Sequence, residues 1–316
     1  MTGRLSRALD QSPLGASLFG RGQMVQRSSP RALLLSLIDT SSHVVRASKY
    51  RLSRSTECLY STSLVSNAPL LAAGLVAVGG DGTWSNVANA ILRSGADCRL
   101  ALIAAGNGND FAKTIGAPAG DVVATARLVA AGVDRRVDVG KIEDRFFINI
   151  AGFGLDVAVL EEVARVKWLR GDALYIYAAL RQLGSCSSTA IGIRSPARER
   201  ASEPHLMLVI ANARFFGGAF RIAPSASITD GMLDAVAIRD ASPFRRLRLF
   251  GAVIRGRHEA MPDVDIERSA AFTLRFLAPP AYETDGEYRH AASATIEVLC
   301  VPQALRVVVP HDAVVP

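Results

Sequence analysis

The sequence predicts two joined architectures, an N-terminal doubly wound α/β domain followed by a C-terminal antiparallel β-sandwich domain. Two apolar runs, Leu75-Val76-Ala77-Val78 and Arg99-Leu100-Ala101-Leu102-Ile103-Ala104, each end in a polar, glycine-bearing turn that opens a helical pattern. Repeated strand-turn-helix units of this kind build a parallel sheet covered by helices. Beyond residue 137 the texture changes to well-separated short strands joined by turns such as Thr229-Asp230-Gly231, which is the pattern of antiparallel β structure.

Taken in order, Arg31–Ile38 reads as a first buried strand after Pro30, and Leu75–Val78 as a second. A helix is expected from Trp84 to Arg93, where Val87, Ala90 and Ile91 share one face. Strand Arg99–Ala104 leads through Gly106-Asn107-Gly108-Asn109-Asp110 to a helix starting near Phe111, and a third helix spans Asp121 to Ala131. Val137-Asp138-Val139-Gly140 marks the expected boundary, giving a disordered segment at 1–28, an α/β domain at 29–137 and a β-rich domain at 138–316. The second domain holds Phe146–Ile150, a helical excursion from Leu155 to Leu183, and strands at Leu206–Ala211, Leu233–Ile238, Phe272–Phe276 and Ala294–Leu299.

Charge narrows the choice of partner. Of the formal net charge of +7, residues 1–74 carry +6, from nine Lys/Arg against three Asp/Glu. The remaining body is therefore nearly neutral, which argues against nucleic acid as a partner. No run approaches the roughly 20 apolar residues of a membrane span. Cys58, Cys98, Cys186 and Cys300 lie far apart with neither metal-ligand nor disulfide-framework spacing, and suit a reducing cytoplasm. The five histidines are scattered and form no metal or triad spacing.

The chemistry concentrates in Gly79-Gly80-Asp81-Gly82-Thr83. A buried strand ending in such a turn lets the backbone approach a polyphosphate, while the next helix aims N–H groups at its charge. Asp81 is the odd member: a carboxylate beside phosphates makes sense when it holds a cation or orients a reacting group. In a parallel sheet two adjacent strands ending in polar turns point at one crevice, so Asn107, Asn109 and Asp110 join the candidate phosphate site. Asp110 also reads as an ordinary helix cap.

Val78–Thr83, Ala105–Ala112, Gly217-Gly218 with Ala223-Pro224, Asp230–Asp234 and Asp285-Gly286-Glu287 together resemble, in order, the diacylglycerol kinase catalytic family, over residues 75 to 310. The resemblance implies a lipid kinase that uses ATP and Mg²⁺, with Gly79, Gly80, Gly82 and Thr83 around the phosphates and Asp81 as a magnesium or water-network ligand. It further implies that Asn107, Asn109 and Asp110 complete the nucleotide pocket, with Asp138 near the magnesium network. Glu287 would be the general base, with Asp285 as the alternative, although Asp-Gly-Glu also reads as a plain turn. Ser227, Asp230 and Met232 would bind a structural Mg²⁺, unless Asp230-Gly231 is a simple hairpin turn.

The resemblance also implies a diacylglycerol-like substrate, transient contact with a membrane surface at its cytoplasmic face, and leaves room for a homodimer. Phe244–Phe250, continuing to Arg255 and Arg257, mixes bulky apolar and cationic residues and reads either as that contact or as a core helix with a solvated Arg face. Asn212–Gly218 reads as cleft lining or as core. The chain departs from the family pattern in three places. Residues 28–60 contain no Asn-Pro-x-x-Gly turn, Asn107 stands where Thr is usual, and Ser85-Asn86 replace Asn-Glu. An NAD kinase-like enzyme shares the first motif, and a non-catalytic nucleotide- or lipid-binding homologue is the other alternative.

Overall fold

The computed structural model describes the backbone of residues 36–38 and residues 74–106, 108–119, 121–169 and 172–311. The expected disorder at 1–28, residues 28–35 and 39–60 of the stretch without an Asn-Pro-x-x-Gly turn, and the position of Asn107 lie outside the described residues. In chain order the elements are β1 (Ser36–Ile38), β2 (Gly74–Gly79), α1 (Asp81–Ser94), β3 (Arg99–Ala104), α2 (Asp110–Thr114), α3 (Val122–Ala131), β4 (Val133–Ile142), β5 (Arg145–Phe147) and β6 (Ile150–Gly154). They continue with α4 (Leu155–Arg165), α5 (Asp172–Leu183), β7 (Thr189–Arg194), β8 (Glu199–Ala211), β9 (Leu233–Arg239) and α6 (Pro243–Ile254). The chain closes with β10 (Val264–Ser269), β11 (Ala271–Arg275), β12 (Ala281–Thr284), β13 (Glu287–His290) and β14 (Thr295–Val309).

The first lobe is doubly wound, as the sequence predicts. Strands β2 and β3 pair in parallel, Leu75 opposite Leu100 and Ala77 opposite Leu102. Alternation then splits their side chains between two layers. Leu75, Ala77, Leu100 and Leu102 pack with Trp84, Val87 and Ile91 of α1 and Phe111 of α2, whereas Val76, Ala101 and Ile103 pack with Leu128 of α3 on the other face. Trp84 and Phe111 are fully buried, and each such side chain contributes on the order of 1.5–3 kcal/mol. Strand β1 runs antiparallel to β2.

The second lobe is antiparallel. Strand β8 is hydrogen-bonded to β6, β7 and β9, and β11 to β7 and β14. Leu208 and Ile210 of β8 point into a sandwich core with Phe153, Phe272, Leu274 and Val298, while Met207, Val209 and Ala211 face a second core built with helices α4, α5 and α6. Strand β14 then returns to the first lobe, antiparallel to β4 and parallel to β3, so one sheet runs through the molecule. No described helix is long and apolar enough to cross a membrane.

Two boundaries differ from expectation. Helix α1 starts at Asp81 rather than Trp84, because extended Gly80 ends the strand and its carbonyl already accepts the Trp84 N–H at 3.1 Å. The long helical excursion is two helices, 155–165 and 172–183.

Candidate active site

The two glycine-rich turns meet. Ala105 N–H donates to Gly79 O at 2.8 Å, and a Cβ built on Gly80 would lie only 2.9 Å from Gly106 Cα. Gly80 caps α1 without a side-chain hydrogen bond, and the first N–H groups of a helix have no partner within the helix itself. A Cβ on Gly82 would meet nothing within 4 Å, and Gly82 borders the crevice. Thr83 packs its side chain over Gly79. Asn109 adopts a left-handed conformation (φ 54°) and clamps the second turn, accepting Gly106 N–H at 3.0 Å and donating to Gly106 O at 2.9 Å.

Asp81 reaches across to the second turn. Its Oδ1 accepts the N–H groups of Asp110 and Phe111 at 2.7 and 3.1 Å, and the Asn149 side-chain amide at 3.4 Å. Asp81 thereby caps α2, a role that the sequence also offers to Asp110. Asp110 instead turns its carboxylate to Gly218 N–H, at 3.2 and 3.1 Å, and to Lys113 Nζ at 3.2 Å; Lys113 also donates to Gly218 O. Burial raises the Asp81 carboxyl, opposed by the Phe111 N–H and reinforced by the charge of Asp285. Burial, with Asp81 beside it, raises Asp110 to about 6. A Cβ on Gly108 would sit 3.0 Å from Asp81 Oδ2 and 3.2 Å from Asp110 Oδ2, so the two carboxylates converge over that glycine. A divalent cation fits this donor set, since it would relieve their repulsion and supply oxygen-loving charge.

Asp285 and Gly286 form the two-residue turn between β12 and β13, both with positive φ (49° and 85°), the geometry of a type I′ hairpin. Asp285 points inward. Its oxygens accept the N–H groups of Ile148, Asn149 and Ile150 at 2.9, 2.8 and 3.2 Å. Burial raises its carboxyl and those N–H groups oppose the shift. Glu287, one residue past the turn, leans onto α1: Oε1 accepts Asn86 Nδ2 at 2.8 Å, while Oε2 accepts Arg145 and Arg289 guanidinium N–H groups at 3.0 and 2.8 Å.

A cavity of about 280 Å³ starts at Asp81, Gly82, Gly108 and Asp110 and continues between α4, α5 and α6 over an apolar lining that includes Leu155, Val159, Leu206, Phe220, Leu249 and Val253. Asn149, Asp156, Glu283, Asp285 and Gly286 also border it. Burial lifts Asp156 to about 6 and Glu283 well above its usual range, the neighbouring Asp156 adding to the latter. Phe216 lines this cavity together with Gly217 and Gly218, whereas Phe215 lies under Arg221 instead. In the 244–250 segment Leu249 is buried and Phe250 borders the cavity, while Phe244 and Leu247 are 79% and 53% exposed.

Asp138 and the Ser227–Met232 loop form a separate group. Asp138 is fully buried, its Oδ1 accepting Gln303 N–H at 2.7 Å and its Oδ2 accepting Gly231 N–H at 2.6 Å. It fastens the loop to β14 and does not border the cavity. Asp230 Oδ1 accepts Met232 N–H at 3.0 Å, Asp230 Oδ2 lies 3.6 Å from Arg268, and Ser227 Oγ accepts Thr229 N–H at 3.3 Å. The described residues contain no cluster of three or more His, Cys, Asp or Glu side chains disposed to hold a metal. Sequence reasoning gave no site role to Asn149, Asn86 or Arg145. The only local signal for Asn149 was a polar residue inside the apolar run Phe146–Ile150.

The glycine turns and paired aspartates of the α/β lobe thus open onto an apolar cavity of the second lobe. Residues 33–142 match the family model described as the diacylglycerol kinase catalytic domain, and residues 149–309 match that of the YegS C-terminal NAD kinase beta sandwich-like domain. The chain belongs to the diacylglycerol kinase catalytic family of lipid kinases. It is 30% identical over 242 residues to a diacylglycerol kinase of Mycobacterium tuberculosis, covering 75% of this chain and 77% of that one. It is 29% identical over 216 residues to a diacylglycerol kinase of Bacillus subtilis, covering 68% and 71%. A crystal structure of a diacylglycerol kinase from Bacillus anthracis str. Sterne superposes with a TM-score of 0.56 at 16% identity, covering 76% of this chain and 77% of that one, a likeness of fold.

Proposed function

We propose that this protein moves the γ-phosphoryl group of ATP, in a Mg²⁺-dependent reaction, to the free hydroxyl of diacylglycerol or a related neutral lipid. The observation that carries the proposal is the continuity of one cavity from the Gly82–Asp110 crevice to the apolar space between α4, α5 and α6. A phosphate donor and an aliphatic acceptor then meet at the crevice. Gly79, Gly80, Gly82 and Thr83 hold the phosphates through the first turn of α1, with Asn107, Asn109 and Asp110 completing the nucleotide pocket. Asp81 and Asp110 hold the magnesium ion, which when bound neutralises phosphate charge. A structural Mg²⁺ at Ser227, Asp230 and Met232 belongs to the same proposal, and would compete with Arg268 for Asp230.

Glu287 is the general base. Asp285, whose oxygens accept three backbone N–H groups, is the alternative base. Exposed Phe244 and Leu247 on α6 contact the cytoplasmic face of a membrane, beside the cavity that receives the lipid. The test is transfer from labelled ATP to diacylglycerol in mixed micelles, with other neutral lipids and NAD as competing acceptors. Diacylglycerol phosphorylation should fall about 10²-fold or more in Asp81→Ala and in Glu287→Gln. Phosphorylation of NAD in preference to every lipid would overturn the proposal.

A further inference from the structure

An ionised carboxylate offers about four lone-pair positions to donors, and three of those on Glu287 are taken. Oε2 accepts both Arg145 and Arg289, whereas Oε1 accepts only Asn86. The same Arg145 nitrogen also donates to Asn86 Oδ1, at 2.6 Å. Arg145 therefore joins β5, α1 and Glu287 through one guanidinium, whose side chain is 9% exposed against 32% for Glu287. Asn86 lies one turn beyond Gly82, on the same face of α1. The cage is thus built on the helix whose first turn borders the crevice. Asn86 matters to it chemically: an acid at this position would face the Glu287 carboxylate, whereas an amide can donate to Glu287 and accept from Arg145 at once.

From this arrangement we infer that Arg145 is a positioning residue, which with Asn86 holds Glu287 so that the remaining lone pair of Oε1 is the one that takes the substrate proton. The inference rests on the reading of Glu287 as base. In the step it serves, the acceptor O–H bond breaks as its oxygen bonds to the γ-phosphorus. The bond from that phosphorus to the bridging oxygen breaks, ADP carries away the electron pair, and the proton rests on Oε1 before passing to water.

The experiment compares Arg145→Met, Glu287→Gln and the double variant in the micelle assay, with thermal melting to confirm folding. Glu287→Gln should lower kcat about 10²-fold. Arg145→Met should lower kcat about 10-fold or more with the KM for ATP within about twofold of the parent, and the double variant should be no slower than Glu287→Gln alone. A double variant slowed by the product of the two effects, or Arg145→Met at the parental kcat, overturns the inference while leaving the base in place. Glu287→Gln at the parental rate overturns the reading of the base, and the inference with it. Should Arg145→Met not fold, Asn86→Ala removes the other anchor and leaves the guanidinium its bond to Glu287. The same fall in kcat, absent on the Glu287→Gln background, is expected, and an unchanged kcat overturns the inference.

Discussion

Gly80 and Gly106 are where single atoms decide whether the two glycine-rich turns can share a crevice. A Cβ on Gly80 would lie 2.9 Å from Gly106 Cα, and one on Gly106 would lie closer still to Gly80. Neither obstacle is a side chain that can swing away, so Gly106→Ala should cost about 1–3 kcal/mol, as overpacking does. It should also raise the KM for ATP by separating the turns. Denaturant melts and ATP titration check this, and a variant with parental stability would refute the contact. These turns were legible in the sequence because their chemistry is local, a property of glycine backbone and the adjoining helix. Asn86, Arg145 and Glu287 were not assembled by sequence reasoning, since their contacts span up to 201 residues and no spacing announces them. Asp156 adds a pH-dependent prediction. Burial holds its carboxyl at about 6, above the ordinary 3.8. The folded state thus binds this proton more tightly than the unfolded one, so the associated stability is present below 3.8 and is lost as pH rises through about 6. Asp156→Asn should therefore melt higher relative to the parent at about pH 8 than at about pH 4, and a pH-independent difference would contradict this assignment.

At the scale of elements, the apolar strands were readable and the charged ones were not. Leu206–Ala211 was expected, yet β8 begins at Glu199, in a stretch whose polar composition resembles a loop. Its charges are satisfied across the sheet, Arg200 lying 3.4 Å from Asp265 and 2.8 Å from Glu267. The same holds for the start of β4, where Asp134 pairs with Arg99 of β3 and Arg306 of β14. Cross-strand pairing thus overrides local polarity. Strand β14 continues past the expected Leu299 through a bulge between Val301 and Leu305. Helix α6 shows how one element serves two surroundings. Leu249 and Val253 face inward, Arg246 ties the helix to Asp240 and to the carbonyls of Leu183 and Cys186, and Phe244 and Leu247 stand in solvent. Under the proposed membrane contact, Phe244→Asp with Leu247→Asp should weaken sedimentation with vesicles of mixed neutral and anionic lipid by about 10-fold, while melting and turnover of a short-chain soluble diacylglycerol stay parental. Unchanged vesicle binding would remove α6 from the membrane contact.

Across the whole molecule, β14 determines how the lobes depend on each other. Its Ile296 and Val298 belong to the sandwich core, while Leu305, Val307 and Val309 belong to the core that holds Trp84 and Phe111. Strand β4 is divided in the same way, with Ile142 in the first of these cores and Val137 and Val139 in the second. Asp138 locks the arrangement by bonding Gln303 in the β14 bulge and Gly231 in the second lobe. A chain of 316 residues ordinarily unfolds domain by domain. Here neither core can lose β14 without exposing part of the other, so both lobes should melt in one transition. The two tryptophans make this measurable, because Trp84 is fully buried in the first lobe and Trp168 is 71% exposed, leaving Trp84 to dominate the change in emission on unfolding. Denaturant curves from fluorescence, which follow the first lobe, and from far-UV circular dichroism, which follow both, should therefore coincide. Leu305→Asp, placed in the first-lobe core at the far end of the shared strand, should move both curves together to lower denaturant. A fluorescence midpoint that falls while the dichroism keeps a second, unshifted transition would show that the lobes fold independently and that the continuous sheet does not couple them.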